Sequence, residues 1–150
     1  MSWATLRDDI YNVINNNVST LGVREVYAYP KYTFGGFPSV NVTPSDNEND
    51  YSTTADNIRL YTFIVRVFYD TKNTGMSDAI DRLCDAADAI ITLFDEEDRK
   101  TTTRTVATSL AAGNTYIGVL ATPGQWGQLE TENLIFCEVK VQIRISVDVS

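Results

Sequence analysis

The sequence predicts an α+β fold: one mixed, mostly antiparallel sheet of five or six strands with two helices packed on one face. Three observations carry this. Trp3, Leu6, Ile10, Val13 and Ile14 recur at steps of three and four, and a second apolar stripe of that period lies between Ser77 and Phe94. Several runs rich in β-branched and aromatic residues lie outside those two stretches, bounded by Gly and Pro. The C-terminal run alternates without a break: Ile135, Cys137, Val139, Val141, Ile143, Ile145, Val147 and Val149 against Phe136, Glu138, Lys140, Gln142, Arg144, Ser146 and Asp148. A length of 150 residues fits a single domain over 1–150.

In chain order, Ser2 is placed to cap the first helix, and Asp8 and Asp9 are expected on its wet face. Asn15, Asn16 and Asn17 weaken it, and Gly22 is a stop signal. Val23 to Tyr29 reads as a strand closed by Pro30. Phe34-Gly35-Gly36-Phe37-Pro38 reads as a turn. Ser39 to Thr43 reads as a strand closed by Pro44, with Val40 and Val42 on one face. Ser45 to Asn57 is polar and reads as a loop.

Ile58 to Tyr69 is a long strand with apolar residues on both faces. Tyr61, Phe63, Val65 and Val67 lie on one side; Ile58, Leu60, Ile64 and Phe68 lie on the other, with Arg66 among them. A strand apolar on both faces is covered on both, and a neighbouring subunit is one possible second cover. The second helix is expected to run from Ser77 to Phe94. Its apolar stripe includes Met76, Ile80, Leu83, Cys84, Ala87, Ile90, Ile91 and Phe94, and its acidic stripe Asp78, Asp81, Asp85 and Asp88. The cluster Asp95-Glu96-Glu97-Asp98 argues for an end at Phe94, because a helix C-terminus disfavours anions. Thr101 to Leu110 reads as a strand, Gly113-Asn114 as a hairpin turn, Thr115 to Thr122 as the return strand, and Pro123 to Gly127 as a loop.

The terminal strand is long for its domain. Fifteen residues at about 3.3 Å each span about 50 Å, whereas a compact domain of this size is about 40 Å across. Such a strand must bend, carry a bulge or reach past its own domain, and an overhanging end would present unpaired backbone groups for a partner. Ile143, Ile145, Val147 and Val149 are therefore candidate interface residues.

Composition excludes several kinds of chemistry. The formal charge is −8 and the sequence pI ≈ 4.4, which disfavours specific nucleic-acid binding and adhesion to anionic membranes. There is no His, so His-based triads, His–zinc sites and imidazole bases are out. No run of 18 apolar residues would span a membrane as a helix, and no signal-peptide stretch opens the chain. The two cysteines, Cys84 and Cys137, read as small core hydrophobes in a reducing cytosol. Asp46, Glu48 and Asp50 alternate as calcium ligands do, but Tyr51 stands where the loop needs Gly and Asn57 where it needs Glu. That segment reads instead as solvated or partner-facing. The helix acids are the spacing of a wet face, not of a catalytic pair. No phosphate loop, dinucleotide fingerprint or nucleophile elbow occurs. Neither a cofactor nor a metal is expected. Trp126, between Gly124 and Gly127, either folds onto its own core or anchors an interface.

Three stretches resemble tail terminator (tail completion) proteins of long-tailed, siphovirus-type bacteriophages. They are Ser2-Trp3-Ala4-Thr5-Leu6-Arg7-Asp8-Asp9-Ile10-Tyr11, the strand and loop from Val40 to Tyr51 with its Pro44-Ser45-Asp46-Asn47-Glu48 core, and Asn57 to Tyr69 followed by a helix with an aspartate stripe. The order of elements is similar across nearly the whole chain. The resemblance implies a structural virion protein and no enzyme. Such a subunit forms a ring, commonly of six copies, that caps the tail tube, ends its polymerisation and joins the tail to the head–tail connector or stopper protein. Its implied partners are itself, the tail tube protein, the connector, and double-stranded DNA passing through the lumen without specific binding. The implied location is the virion tail or neck, with assembly in the host cytoplasm. Asp46, Glu48, Asp50, Tyr51 and Trp126 are candidate partner contacts. A negative lumen wall would repel phosphate, so the acidic excess suits a pore. Alternatives are another neck subunit (stopper or head-completion), a soluble ligand-binding module and, last, an Asp/Glu-only enzyme of glycosidase type.

Overall fold

The computed structural model describes residues 3–31, 34–50, 56–72, 75–100, 102–108, 110, 112–129 and 133–148, with the backbone alone at 46–50, 56–57 and 148. The expected cap Ser2, as well as Tyr51 and Val149, lie outside the described residues. A mixed five-stranded sheet in the order β1-β2-β3-β5-β4 carries the helices on one face. The fold class is the expected α+β.

The first helix, α1 (Trp3–Asn15), buries Leu6, Ile10, Val13 and Ile14, as its period requires. Trp3 lies edge-on to both Tyr61 and Phe63, with ring centroids 5.2 Å apart in each case. The asparagines end this helix. Asn17 Nδ2 donates to the Val13 carbonyl at 2.7 Å, and one further turn, α2 (Val18–Leu21), stops at Gly22. Gly22 sits at φ 71 and donates its N–H to the Val18 carbonyl, the left-handed cap that glycine adopts without a Cβ clash.

Strand β1 is only Glu25–Tyr27, shorter than the expected Val23–Tyr29. The chain then turns beneath the sheet, held by the Glu25 carboxylate. This carboxylate accepts from the Tyr27 hydroxyl at 2.8 Å and from the Gly35 and Gly36 N–H groups at 2.8 and 3.3 Å. The Tyr27 hydrogen bond, with those two N–H groups and the Ser39 hydroxyl, holds Glu25 below the usual carboxylate pKa. Phe34 is thereby placed 5.1 Å from Phe68 on the sheet face away from the helices.

Strand β2 (Ser39–Asp50) does not close at Pro44. It continues through a register shift between Pro44 and Asn47. Beyond Asn41 it has lost its β1 neighbour and is an edge, where a residue without an N–H is tolerated and a bulge can absorb it. The segment expected as a loop is thus, up to Asp50, one arm of a long antiparallel hairpin with β3 (Asp56–Asp70).

Helix α3 runs from Met76 to Arg99, five residues past the expected end. The acidic cluster is not left facing the helix dipole. Glu97 is 2% exposed, accepts from the Thr105 and Val106 N–H groups, and pairs with Lys100 at 3.2 Å. Asp98 accepts from the Tyr116 hydroxyl at 2.8 Å and the Val119 N–H at 3.0 Å. The buried stripe is Ala79, Leu83, Ala86, Ile90, Phe94 and Glu97, so Met76 and Cys84 are outside it and exposed.

The threonine-rich stretch expected as a strand has no strand among its described residues. It docks instead on the last turn of α3 through Glu97 and on the middle of α1 through Asp9, whose Oδ2 accepts from the Ala107 N–H at 3.0 Å. Asp9 is therefore a half-buried clasp rather than part of a wet face. Threonine's preference for strands is a preference for a pleated surface to pack on, and here the packing surface is helical. Strand β4 (Thr115–Leu129) passes straight through the expected Pro123–Gly127 loop, with register shifts at Tyr116/Gly118 and Pro123/Trp126. Gly127 is required there, because a Cβ would stand 2.8 Å from Phe136 Cζ across the strand pair.

Strand β5 (Leu134–Asp148) is central. It pairs with β3 from Leu134 to Asp148 and with β4 from Leu134 to Ser146. Of the three alternatives the overhang with free backbone groups is overturned for the described residues: β3 extends with β5 to Asp148 and β4 to Ser146.

Candidate interaction surface

The two faces of this sheet are unlike. On the helix side, Val40, Val42, Phe63, Val65, Val67, Val139, Val141 and Ile143 are wholly buried, and they belong to one core with Leu6, Ile10, Leu83, Ile90 and Phe94. The cross-strand register puts Ile58, Leu60, Thr62, Ile64, Arg66 and Phe68 of β3 on the other side, opposite Ser146, Arg144, Gln142, Lys140, Glu138 and Phe136 of β5. At one end of that side Phe68 is covered by Phe34 and by Phe136, 5.9 Å away. Ile58, Leu60 and Ile64 are half-buried, and Thr62 between them is 2% exposed. Arg66 pairs across the strands with Glu138 at 2.8 Å. Lys140 and Arg144 have no ion pair with another described side chain.

Along the β4 edge Leu120, opposite Gln142, continues this bare face, whereas Trp126, opposite Cys137, is on the helix side. Ile117 is 45% exposed, Leu120 53% and Trp126 65%, three of the five exposed large apolar side chains among the described residues. Leu60, Leu120, Gln142 and Arg144 line an open hollow there with Asp98, Ile117, Gly118 and Val119. An outer strand offering apolar side chains and free backbone is an invitation to another chain, and the two bulges and Pro123 limit simple edge-to-edge pairing.

The sequence-derived candidates divide. Trp126 is exposed on the edge strand, opposite Cys137 in the register. Ile143 and Ile145 are 0% and 1% exposed, so their side chains serve this chain's own core and offer no contact surface; Val147 is half-buried. Glu48 and Asp50 occupy register positions opposite Leu60 and Ile58, on the bare side, and Asp46 lies in the bulge. Leu120, Lys140 and Arg144 were not singled out from the sequence. The signal for them was the doubly apolar β3 run, which implied an uncovered surface without showing its neighbours.

Among the described residues no three His, Cys, Asp or Glu side chains cluster as metal ligands, and no helix is long and apolar enough to cross a membrane. The cysteines are not bonded to each other. Cys137 is half-buried with its Sγ 3.8 Å from the Leu83 carbonyl. Burial pushes its thiol up to about 12, helped by the neighbouring Cys84 and Asp88.

These features define a two-layer α+β fold with helices packed on one face of its sheet. No family model matches the chain, and no curated protein matches it. Among solved structures its fold recurs in a chain of the virion of a native gene transfer agent particle. The TM-score is 0.62 and the identity 16%, over 94% of this chain and 94% of that one.

Proposed function

We propose that this protein is a structural component of a phage-like virion: a tail terminator subunit. In this reading copies assemble as a ring, six by the family resemblance, on the last ring of the tail tube. The ring ends tube growth, joins the tail to the head–tail connector and leaves a lumen for DNA. One observation carries the reading, the likeness of fold to a chain of a virion particle over nearly the full length of both. The bare sheet face and the apolar β4 edge support it, because a subunit made to assemble leaves such surface for its neighbours. The charge of −8 suits a channel through which DNA must slide without sticking.

The test is assembly. Purified protein, viewed by negative-stain electron microscopy and weighed by light scattering, is expected to form rings, and to cap the ends of purified tail tubes and halt their growth. Rings that attach to DNA-filled capsids and ignore tubes would move the assignment to another neck subunit. A strictly monomeric mass at high concentration, with no binding to either, would overturn it.

A further inference from the structure

We propose that the subunits contact one another head to tail, the acidic outer face of α3 in one copy docking on the bare sheet face of the next. This rests on the ring reading above and names the surfaces that build it.

The two surfaces lie on opposite sides of the molecule. One is the outward side of the helical layer, where Asp81, Cys84, Asp85 and Asp88 are exposed; Asp78 is neutralised by Arg82 at 3.1 Å. The other is the far side of the sheet, where Lys140 and Arg144 stand without an ion-pair partner among the described residues. Ile64 and the 53%-exposed Leu120 lie beside them. Around Lys140 and Arg144 the charge is opposite and the scales agree, while Glu48 and Asp50 occupy β2 positions two strands away on the same face. Asp81 to Asp88 spans about 10 Å along a helix, and Lys140 to Arg144 about 13 Å along a strand. Docking would give Leu60, Ile64 and Leu120 the cover that a doubly apolar strand calls for.

The geometry also favours a second copy as the occupant. A contact between two different faces is heterologous, and heterologous contacts close into rings when the rotation permits. Face-to-face pairing of two bare sheets is isologous and would instead stop at a dimer.

Charge reversal tests this. Wild-type rings are first established by light scattering. K140E/R144E and D81K/D85K, each checked for an unchanged circular dichroism spectrum, are then examined alone and mixed. Each alone is expected to associate at least about tenfold more weakly than wild type, since like charges now meet. Mixed one to one, each variant's sheet face is complementary to the other's helix face, so rings return with the two variants alternating. Cys84 gives a second reading: its thiol should react freely in either lone variant and be protected in wild-type and mixed rings. Normal rings from D81K/D85K alone, or full Cys84 reactivity within wild-type rings, would overturn the head-to-tail contact while leaving the ring reading standing. Wild-type protein that stays monomeric would overturn both.

Discussion

The same two strands, β3 and β5, present their side chains to two different environments. On one side Phe63, Val65, Val139 and Val141 are sealed beneath α1 and α3. On the other Leu60, Ile64, Lys140 and Arg144 look outward, with Phe34 covering only one end. The pleat, with its period of two, makes this possible: neighbouring residues in one strand can serve folding and assembly independently. The lesson is that hydrophobicity in this strand has two sources, one satisfied within the chain and one left over.

The contrast can be broken most sharply at the core. Phe63→Ala removes a fully buried ring that Trp3 packs against, and should cost about 3–5 kcal/mol in urea unfolding. Ile64→Ala, the next residue but on the bare face, should cost the monomer less than about 1.5 kcal/mol. Equal losses at the two positions would erase the distinction between the faces.

Next comes the clasp between α3 and the threonine-rich segment. Glu97→Ala leaves the Thr105 and Val106 N–H groups without their carboxylate, at a cost of about 2–3 kcal/mol. Faster amide exchange at Thr105 and Val106 is the expected signature. Glu97→Gln keeps an oxygen acceptor and should lose less. Gly127→Ala drives a Cβ into the Phe136 ring and should destabilise by about 1–3 kcal/mol in thermal melts. It disturbs β4 pairing near Trp126 while leaving the helical face intact.

Two smaller effects sharpen the picture. At pH 8 a thiol reagent should modify Cys84 promptly in the monomer and leave Cys137 untouched, since a thiol at about 12 holds almost no thiolate there. Rapid modification of both would contradict the packing of Cys137 against Leu83. The smallest effect concerns Asp9. Burial, with Asp8 and Glu97 nearby, raises its pKa against the lowering effect of the Ala107 N–H. Its folded pKa exceeds its unfolded one, so ionised Asp9 costs stability above the unfolded value, and that cost is relieved as pH falls through the raised one. Asp9→Asn keeps an oxygen for Ala107 and removes the charge. Its Tm at pH 7 should equal or slightly exceed wild type, and a clear fall would refute the account.

Period and punctuation carried much of the fold from sequence alone. The α1 stripe, the Gly22 stop, the β5 alternation and the two-sided character of β3 are local patterns, written in neighbouring residues and enforced by backbone geometry. The errors share one cause. Pro44, Pro123 and the 95–98 acids are breakers by local rule, yet β2, β4 and α3 run through them. An edge position, a bulge, the buried acceptor Glu97 and the exposed acceptor Asp98 accommodate the offending groups, and each depends on residues outside the local run. Thr101 to Leu110 fails in the opposite direction: its strand preference found no strand to pair with.

The candidate site follows the same division. From its residues the sequence determined that this chain is acidic, without histidine, and richer in apolar strand surface than its own two helices can cover. Only the tertiary structure decided where the surplus lies. Pairing β5 between β3 and β4 took Ile143 and Ile145 into the core and placed Leu120, Lys140 and Arg144 on the open side. Strand order and register are set by contacts between residues far apart in the chain, which no local pattern encodes.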